Sequence, residues 1–328
     1  MLPAGKTFIP DELLPAHHLC LLNHDILVEL LRSGEKNGAF IEEIEFRDRR
    51  DRDELDRADD VFEWLERTGR SNERARVLRR TVFPALLSDF LHFIFEALET
   101  SRKAKLNVSY ALIRKPLQEN LFLLETISTD PDAFTRSLLE DPLALRAQKA
   151  GGVEAHARRI SNALNVLGEQ DRFDAAYLAQ LRYDRKVEDG FDGSCNKAIH
   201  LFTEHPAIRT ESLNINFIFS DWEAKLTQWY YLYSRLPYLL FYARLLVEHV
   251  CSSFVQTDPS YLANMERRVA AGTLLWARNI DADYRHPSIE RFVEATRERL
   301  ARACRAAGHR EPSLSDLPSM VATGGFPA

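Results

Sequence analysis

The chain lacks most of the motifs that identify common enzyme classes. Its 328 residues include only four cysteines, and no two of them have the CxxC spacing of a zinc or redox site. We therefore expect reduced thiols and no disulfide framework. The sequence also has no glycine-rich phosphate-binding loop, no G-x-S-x-G nucleophile motif and no dinucleotide-binding fingerprint. Because these motifs are absent, we expect no cofactor and no metal centre.

Neither positive nor negative charge dominates the chain, and no apolar run is long. The net charge of -6 and the pI of about 6.0 give no general basic field, so duplex DNA and anionic membranes are not expected partners. The most apolar stretch, residues 236–247, is interrupted by proline, tyrosine and arginine and is too short to cross a bilayer. The first residues do not resemble a signal peptide. We predict a cytoplasmic protein that contacts no membrane.

What the sequence has in abundance is helical periodicity. Apolar residues recur at helical spacing over most of the chain, which predicts an all-α multi-helix domain over residues 1–310 with kinked central helices. Residues 311–328 are rich in Pro, Ser and Gly, which predicts a disordered tail. Apolar and polar residues alternate over most of 213–220, which allows at most a small β-hairpin with 39–46. The main predicted helices cover residues 11–32, 71–102, 106–126 and 221–255.

A narrow polar stripe runs along the otherwise apolar segment 82–100. Asp89, His92 and Glu96 fall within about one sixth of the helix circumference. One explanation is that this stripe faces water. Another is a polar pocket shared with a neighbouring helix, which is structural or binds a small ligand. A single histidine without a second set of ligands does not favour a metal site.

The next helix, 106–126, carries its own charged residues among leucines, and we include Arg114, Lys115 and Glu119 in the candidate ligand-binding cluster. Lys115 and Glu119 are spaced for a pair within the helix. Arg114 lies among apolar residues, so we expect it to be buried and paired with a carboxylate. The candidate partners for Arg114 are Asp89, Glu96, Glu119 and Glu125.

Two runs in these helices carry a resemblance to known proteins. SDFLHFIFEAL and LNVSYALIRKPLQENLFLLE resemble an uncharacterised family of bacterial all-helical proteins with the pattern SDFxHFxxEAL…LxRKPxxENLxxLE. That resemblance implies a shared fold and no particular activity. More distantly, an arginine followed by a glutamate on a core helix is similar to HEPN-type and abortive-infection-type helical proteins, which implies phage defence as a biological setting.

The HEPN resemblance implies a catalytic pair. HEPN ribonucleases have an arginine followed a few residues later by a histidine near a helix end, and Arg244 and His249 have this order here. The histidine would act as acid or base on the ribose 2′-OH, and the arginine would stabilise the phosphorane charge. These side chains are about 140° apart on an ideal helix, so a site between two subunits would be needed. Alternatively, both are polar groups at a helix end, where the dipole favours His249.

The segment 222–241 is rich in tyrosine and tryptophan. This composition favours a homodimer interface and also fits stacking on RNA bases. Histidines and cysteines at positions 17, 20, 24, 195, 200 and 205 lack zinc-finger spacing. We therefore predict a homo-oligomeric helical interaction or sensing protein, with an RNA-cleaving HEPN-type protein as the alternative. The sequence does not decide whether the protein is an enzyme.

Overall fold

The computed structural model describes residues 6–327, and this range contains helices and no strand. The prediction of an all-α, multi-helix fold is therefore confirmed. A π-helical turn, Pro116–Asn120, follows Lys115 and leads directly into Leu121. The α-helices are α1 Leu14–Lys36, α2 Arg49–Leu55, α3 Val61–Arg67, α4 Ser71–Arg102, α5 Leu106–Lys115, α6 Leu121–Thr129, α7 Pro131–Glu140, α8 Val153–Leu167, α9 Ala175–Tyr183, α10 Phe191–Ile199, α11 Trp222–Ser252, α12 Pro259–Ala277, α13 Pro287–Ala306 and α14 Leu317–Thr323.

The helix richest in aromatic residues, α11, lies at the centre of the protein. Asp221 caps its N-terminus, because its carboxylate accepts a hydrogen bond from the Ala224 N–H at 2.8 Å. From Trp229 to Cys251 most side chains are buried against α1, α5, α6 and α8. A helix that is apolar on nearly every side is stable only when neighbours surround it. This helix therefore organises the core.

The burial of α11 contradicts its predicted role as the homodimer interface. Most of its aromatic side chains are internal, and several donate hydrogen bonds inside the chain: Trp229 Nε1 donates to Ser101 Oγ at 3.1 Å. Tyrosine and tryptophan serve cores as readily as interfaces when a partner for the N–H or O–H is near. Trp222, the first residue of the helix, is the exception and is half exposed.

Helices α4 and α5 form an antiparallel pair that packs beside α1. Residues 71–102 are one helix as predicted, and α4 continues through Pro84. The predicted helix over 106–126 is interrupted at Pro116, where the π turn begins. A proline ring cannot donate the usual backbone hydrogen bond and clashes with the preceding turn, so the chain widens there.

The small hairpin that the sequence allowed does not form within residues 6–327. Leu213 and Phe217 have φ of 61°, in the left-handed region, so the segment 213–220 cannot be an extended strand. Residues 41–46 are irregular and are held by arginine side chains of the α4 region instead of by a partner strand: Arg70 Nη1 donates to Glu45 O at 2.9 Å. Alternation of apolar residues over so short a stretch did not identify a strand.

The tail is also more ordered than its composition predicts. Residues 317–323 form α14, which packs on α12 and buries Leu317 and Met320. Two arginines of α12 hold it by its backbone: Arg267 Nε donates to Gly324 O and Arg268 Nε donates to Val321 O, both at 2.7 Å. The expected disorder does not occur over the described part of the tail, because contacts from a distant helix satisfy its backbone groups.

By length and composition alone, α4 could cross a membrane. A single helix of this kind is weak support for a membrane span, since core helices of soluble proteins pass the same test. In this structure the apolar side chains of α4 pack against α1 and α5, and its first turns carry several arginines. The cytoplasmic localisation stays a prediction.

Candidate functional site

The polar stripe of α4 divides into one paired residue and two solvated ones. Asp89 accepts hydrogen bonds from Lys115 Nζ at 2.7 Å and from Asn120 Nδ2 at 2.8 Å. Burial by itself would raise the pKa of Asp89, but these hydrogen bonds outweigh it and lower the pKa. His92 and Glu96 are exposed. The structure therefore places His92 and Glu96 in water. Asp89 is held by Lys115 and by Asn120, a residue whose role the sequence did not indicate.

The proposed partners of Arg114 are wrong. Its side chain is one third exposed, and its Nε lies 4.0 Å from Asp192 Oδ1, a residue outside the candidate set. Glu119 is exposed on the π turn and does not pair with Lys115, which bonds Asp89. The predicted cluster is thus a set of separate contacts along α4 and α5 and does not form one pocket.

The buried ion network in this region is centred on Glu125 instead. Its carboxylate is fully buried and accepts hydrogen bonds from Arg182 Nη1, from Arg159 Nε at 3.0 Å and from Tyr242 OH at 3.0 Å. Arg182 is also fully buried and donates to Tyr183 OH at 2.7 Å. Glu125, Arg182 and Tyr242 are fully buried and Arg159 is only slightly exposed, so we interpret this network as structural.

Arg244 is equally inaccessible. Its side chain is 1% exposed and donates to Glu248 at 2.6 Å and to Glu266 at 2.5 Å. Burial opposes ionisation of Glu266, but the charges of Arg244 and Arg172 outweigh it and lower its pKa to about 2. A guanidinium held between two carboxylates inside the core cannot reach a phosphate. Arg244 and His249 therefore do not share a cleft.

His249 lies in a different place, in a cavity of about 190 Å³ between α4, the α6–α7 junction and the end of α11. Three arginines of α4 line the same cavity, together with Ser128 from the end of α6. We call this group, Arg76, Arg79, Arg80, Ser128 and His249, the arginine pocket. The arginines recur at helical spacing, so their side chains leave α4 on one side.

The fully ionised side chains that line the arginine pocket are all arginines. Arg76 and Arg80 share one carboxylate, that of Glu42, with Arg80 Nε 2.9 Å from Glu42 Oε2. Arg79 has a loose and exposed partner, with its Nη1 3.3 Å from Asp132 Oδ1. The charge of Glu73 also acts on Arg76, but no carboxylate lines the cavity itself. The first turn of α7, beginning at Pro131 in the wall of the cavity, adds the positive end of a helix dipole.

Two further groups in the pocket have unused hydrogen-bonding capacity. The Ser128 hydroxyl is buried and has no hydrogen-bond partner. The ring of His249 makes no hydrogen bond to any described residue, and partial burial lowers its pKa. At neutral pH the imidazole is therefore uncharged and free to accept or donate a proton. Cations and free hydroxyl and imidazole groups around one cavity form a site suited to an oxyanion.

Outside this pocket, residues 6–327 contain no group of three or more histidine, cysteine or acidic side chains arranged to hold a metal ion. His17, from the loose histidine–cysteine group, is buried and its Nδ1 lies 2.8 Å from Tyr233 OH. Burial lowers its pKa to about 4. The ring is thus a neutral core group.

No protein-family model matches the chain, and neither a curated protein nor a solved structure shows significant similarity to it. The resemblances to the uncharacterised helical family and to HEPN-type proteins therefore stay predictions. The argument for function depends on the geometry of the site itself.

Proposed function

We propose that this chain is a helical sensing protein that binds a small oxyanion, the phosphate group of a phosphomonoester, in the arginine pocket. This proposal makes the predicted sensing function specific and moves the ligand site from the Asp89 cluster to His249. The observation that supports it is the convergence of Arg76, Arg79 and Arg80 with an unpaired hydroxyl and an uncharged imidazole on one cavity.

The size of the cavity selects the ligand class. Its volume of about 190 Å³ corresponds to roughly six water molecules in the liquid, which suits a phosphate group with a few carbon atoms. Arginine side chains bind phosphate through paired N–H donors, which gives them geometric selectivity as well as charge. Ile127, Val250 and Phe254 line the remaining wall and would contact the organic part. A nucleic-acid duplex is too large to enter.

Sulfate is a suitable first probe, because it stays a dianion over the whole pH range of interest. We expect isothermal titration to detect sulfate binding that Arg79→Ala weakens at least about tenfold. Arg79 is chosen because its partner, Asp132, is exposed, so its loss leaves no buried charge behind. Arg158→Ala is the matched control, since Arg158 is an exposed arginine of α8 away from the cavity. No binding, or equal loss in both variants, would refute the proposal.

The pH dependence tests the part played by His249. A bound dianion favours the imidazolium, so the pKa of His249 rises on binding, and affinity must fall as pH rises through that pKa. We expect tighter sulfate binding towards the lower end of the range between about pH 5 and 8, and a flat profile for His249→Asn. A pH profile unchanged by His249→Asn would remove His249 from the site.

RNA cleavage remains a second candidate function for one reason. An uncharged histidine beside several arginines is also the composition of a phosphodiester-cleaving site, with His249 as base and Arg79 in place of Arg244. A single-stranded RNA substrate should then be cut by the native protein and not by His249→Ala or Arg79→Ala. Sulfate binding without any RNA cleavage would support the sensing function and argue against the nuclease.

A further inference from the structure

The segment between α1 and α2 has few contacts of its own with the rest of the protein. Residues 41–46 have no regular structure, and within residues 6–327 the backbone of 42–46 makes no backbone–backbone hydrogen bond. Ile41 is 65% exposed, and Phe46, which lies against the Trp64 ring, is 44% exposed. A stretch with so little packing and backbone bonding belongs to the least stable parts of a fold. Its position therefore depends on the side chains that reach it from α4.

Two arginines of the arginine pocket hold the start of this segment. Arg76 Nε donates to Glu42 Oε1, and Arg80 Nε lies 2.9 Å from Glu42 Oε2. The Glu42 side chain is only 11% exposed, so this carboxylate is largely enclosed by its two partners. Arg80 also donates through Nη1 to Ala39 O. The guanidinium groups that line the cavity therefore also fix residues 39–42.

The contacts of Arg80 make a phosphate ligand a competitor of this segment. A guanidinium offers two edges with paired N–H donors, Nε with Nη2 and Nη1 with Nη2. Glu42 Oε2 lies against Nε on the first edge, and Ala39 O accepts from Nη1 on the second. Neither edge is free while both contacts last. A phosphate group in the cavity gains a two-donor contact from Arg80 only when Glu42 or Ala39 gives way, and both belong to the same segment.

We propose that residues 39–46 form a latch, which a phosphate group bound in the arginine pocket releases. The inference rests on the proposed function, because its ligand is the same oxyanion. The anion takes over the donors of Arg80, and its charge repels the Glu42 carboxylate. Among the described residues, the arginine contact that then remains on 41–46 is that of Arg70 Nη1 with Glu45 O, at 2.9 Å. Ligand binding is thereby converted into a change of chain conformation, which is the output that a sensing protein needs.

Binding and release are linked in both directions. If the bound anion weakens the hold of α4 on the latch, then release of the latch strengthens anion binding by the same factor. Couplings between two such events usually amount to about 5- to 150-fold. Removing the charge of Glu42 should therefore loosen the latch even when no anion is present.

A spin label on the latch measures its release. Glu43 is exposed and has no hydrogen bond or ion pair in the described part of the chain, and all four native cysteines are buried, so Glu43→Cys supplies one accessible thiol. We expect saturating sodium sulfate to raise the ratio of mobile to immobile label at least about fivefold over sodium chloride of the same ionic strength. The same label on Arg158→Cys, at an exposed position of α8, should not respond.

Two variants of the labelled chain identify the contact responsible. Glu42→Gln should have a mobile label without any sulfate, because the arginines lose the charge that they hold. Glu45→Gln is the matched control and should keep the label immobile, since Glu45 is exposed and its carboxylate has no bonding partner among residues 6–327. Circular dichroism should show the same helix content in all variants. A label that stays immobile in Glu42→Gln would overturn the latch.

Calorimetric titration of the native chain with sulfate separates this proposal from the proposed function. Sulfate binding with an unchanged label at residue 43 would overturn the latch and leave the arginine pocket as a binding site. No sulfate binding at all would overturn both proposals. An equal response of the label to sulfate and to chloride would mean screening by salt, and it would overturn the latch as well.

Discussion

Replacing Glu125 with glutamine should destabilise this protein more than any change to the polar residues of α4. Glutamine has nearly the same shape as glutamate, so the substitution removes the charge and leaves the packing almost unchanged. The carboxylate is fully buried and accepts from Arg182, Arg159 and Tyr242. The substitution therefore isolates the electrostatic contribution of the network.

The size of the effect follows from what remains around Arg182. Its other donors bond the Leu117 carbonyl at 2.6 Å and the Tyr183 hydroxyl at 2.7 Å, which are neutral acceptors. Without Glu125 the guanidinium is a buried charge with no counter-charge in contact. Removing one partner of a buried ion pair costs about 3–5 kcal/mol. Typical domains have a free energy of unfolding of about 5–15 kcal/mol, so this is a large fraction of the total.

Equilibrium unfolding in urea measures this free energy directly. Glu96→Gln is the control, since Glu96 is exposed and the change should stay within about 0.5 kcal/mol of the native value. The double variant Glu125→Gln with Arg182→Gln should regain part of the lost stability, because no unpaired charge is left in the core. Two results would refute the reasoning. One is a loss below about 1 kcal/mol in the free energy of unfolding for Glu125→Gln. The other is a loss in the double variant that exceeds the sum of the losses in the two single variants.

Three further predictions concern the pocket, the predicted cluster and the tail. Glu42→Gln should tighten sulfate binding about tenfold in titration calorimetry, because Arg76 and Arg80 lose the carboxylate that competes with the ligand; weaker binding would show that Glu42 positions them. Arg114→Ala should cost no more than about 1 kcal/mol in urea unfolding, since Arg114 is partly exposed and 4.0 Å from its carboxylate; a loss of several kcal/mol would restore the buried-arginine hypothesis. Leu317→Ala should cost about 2–5 kcal/mol by the same measurement, because Leu317 is buried against α12; no loss would mean that the tail is not packed.

The candidate site could be predicted only in part. The HEPN resemblance singled out His249 as one half of a catalytic pair, and the structure puts it on a cavity with arginines. Those arginines come from α4, more than a hundred residues earlier in the chain, and not from Arg244 on its own helix. A pattern within one helix carries no information on which other helix faces it. The sequence contained one usable signal for this, the three arginines at 76, 79 and 80 on one side of the first turns of α4.

Local sequence patterns are enough to specify the main helices. Apolar periodicity, the Asp221 cap and the ends of α4 depend on residues a few positions apart, so local rules suffice for the all-α fold. Long-range packing determines which charges pair and which apolar faces are covered. This packing pairs Glu125 with Arg182 and brings Arg76 to the same cavity as His249. It also buries the aromatic helix α11 and leaves the loop before α11 exposed. These choices depend on contacts between segments far apart in the chain, where the desolvation of each charge and the shape of each neighbour outweigh any local preference.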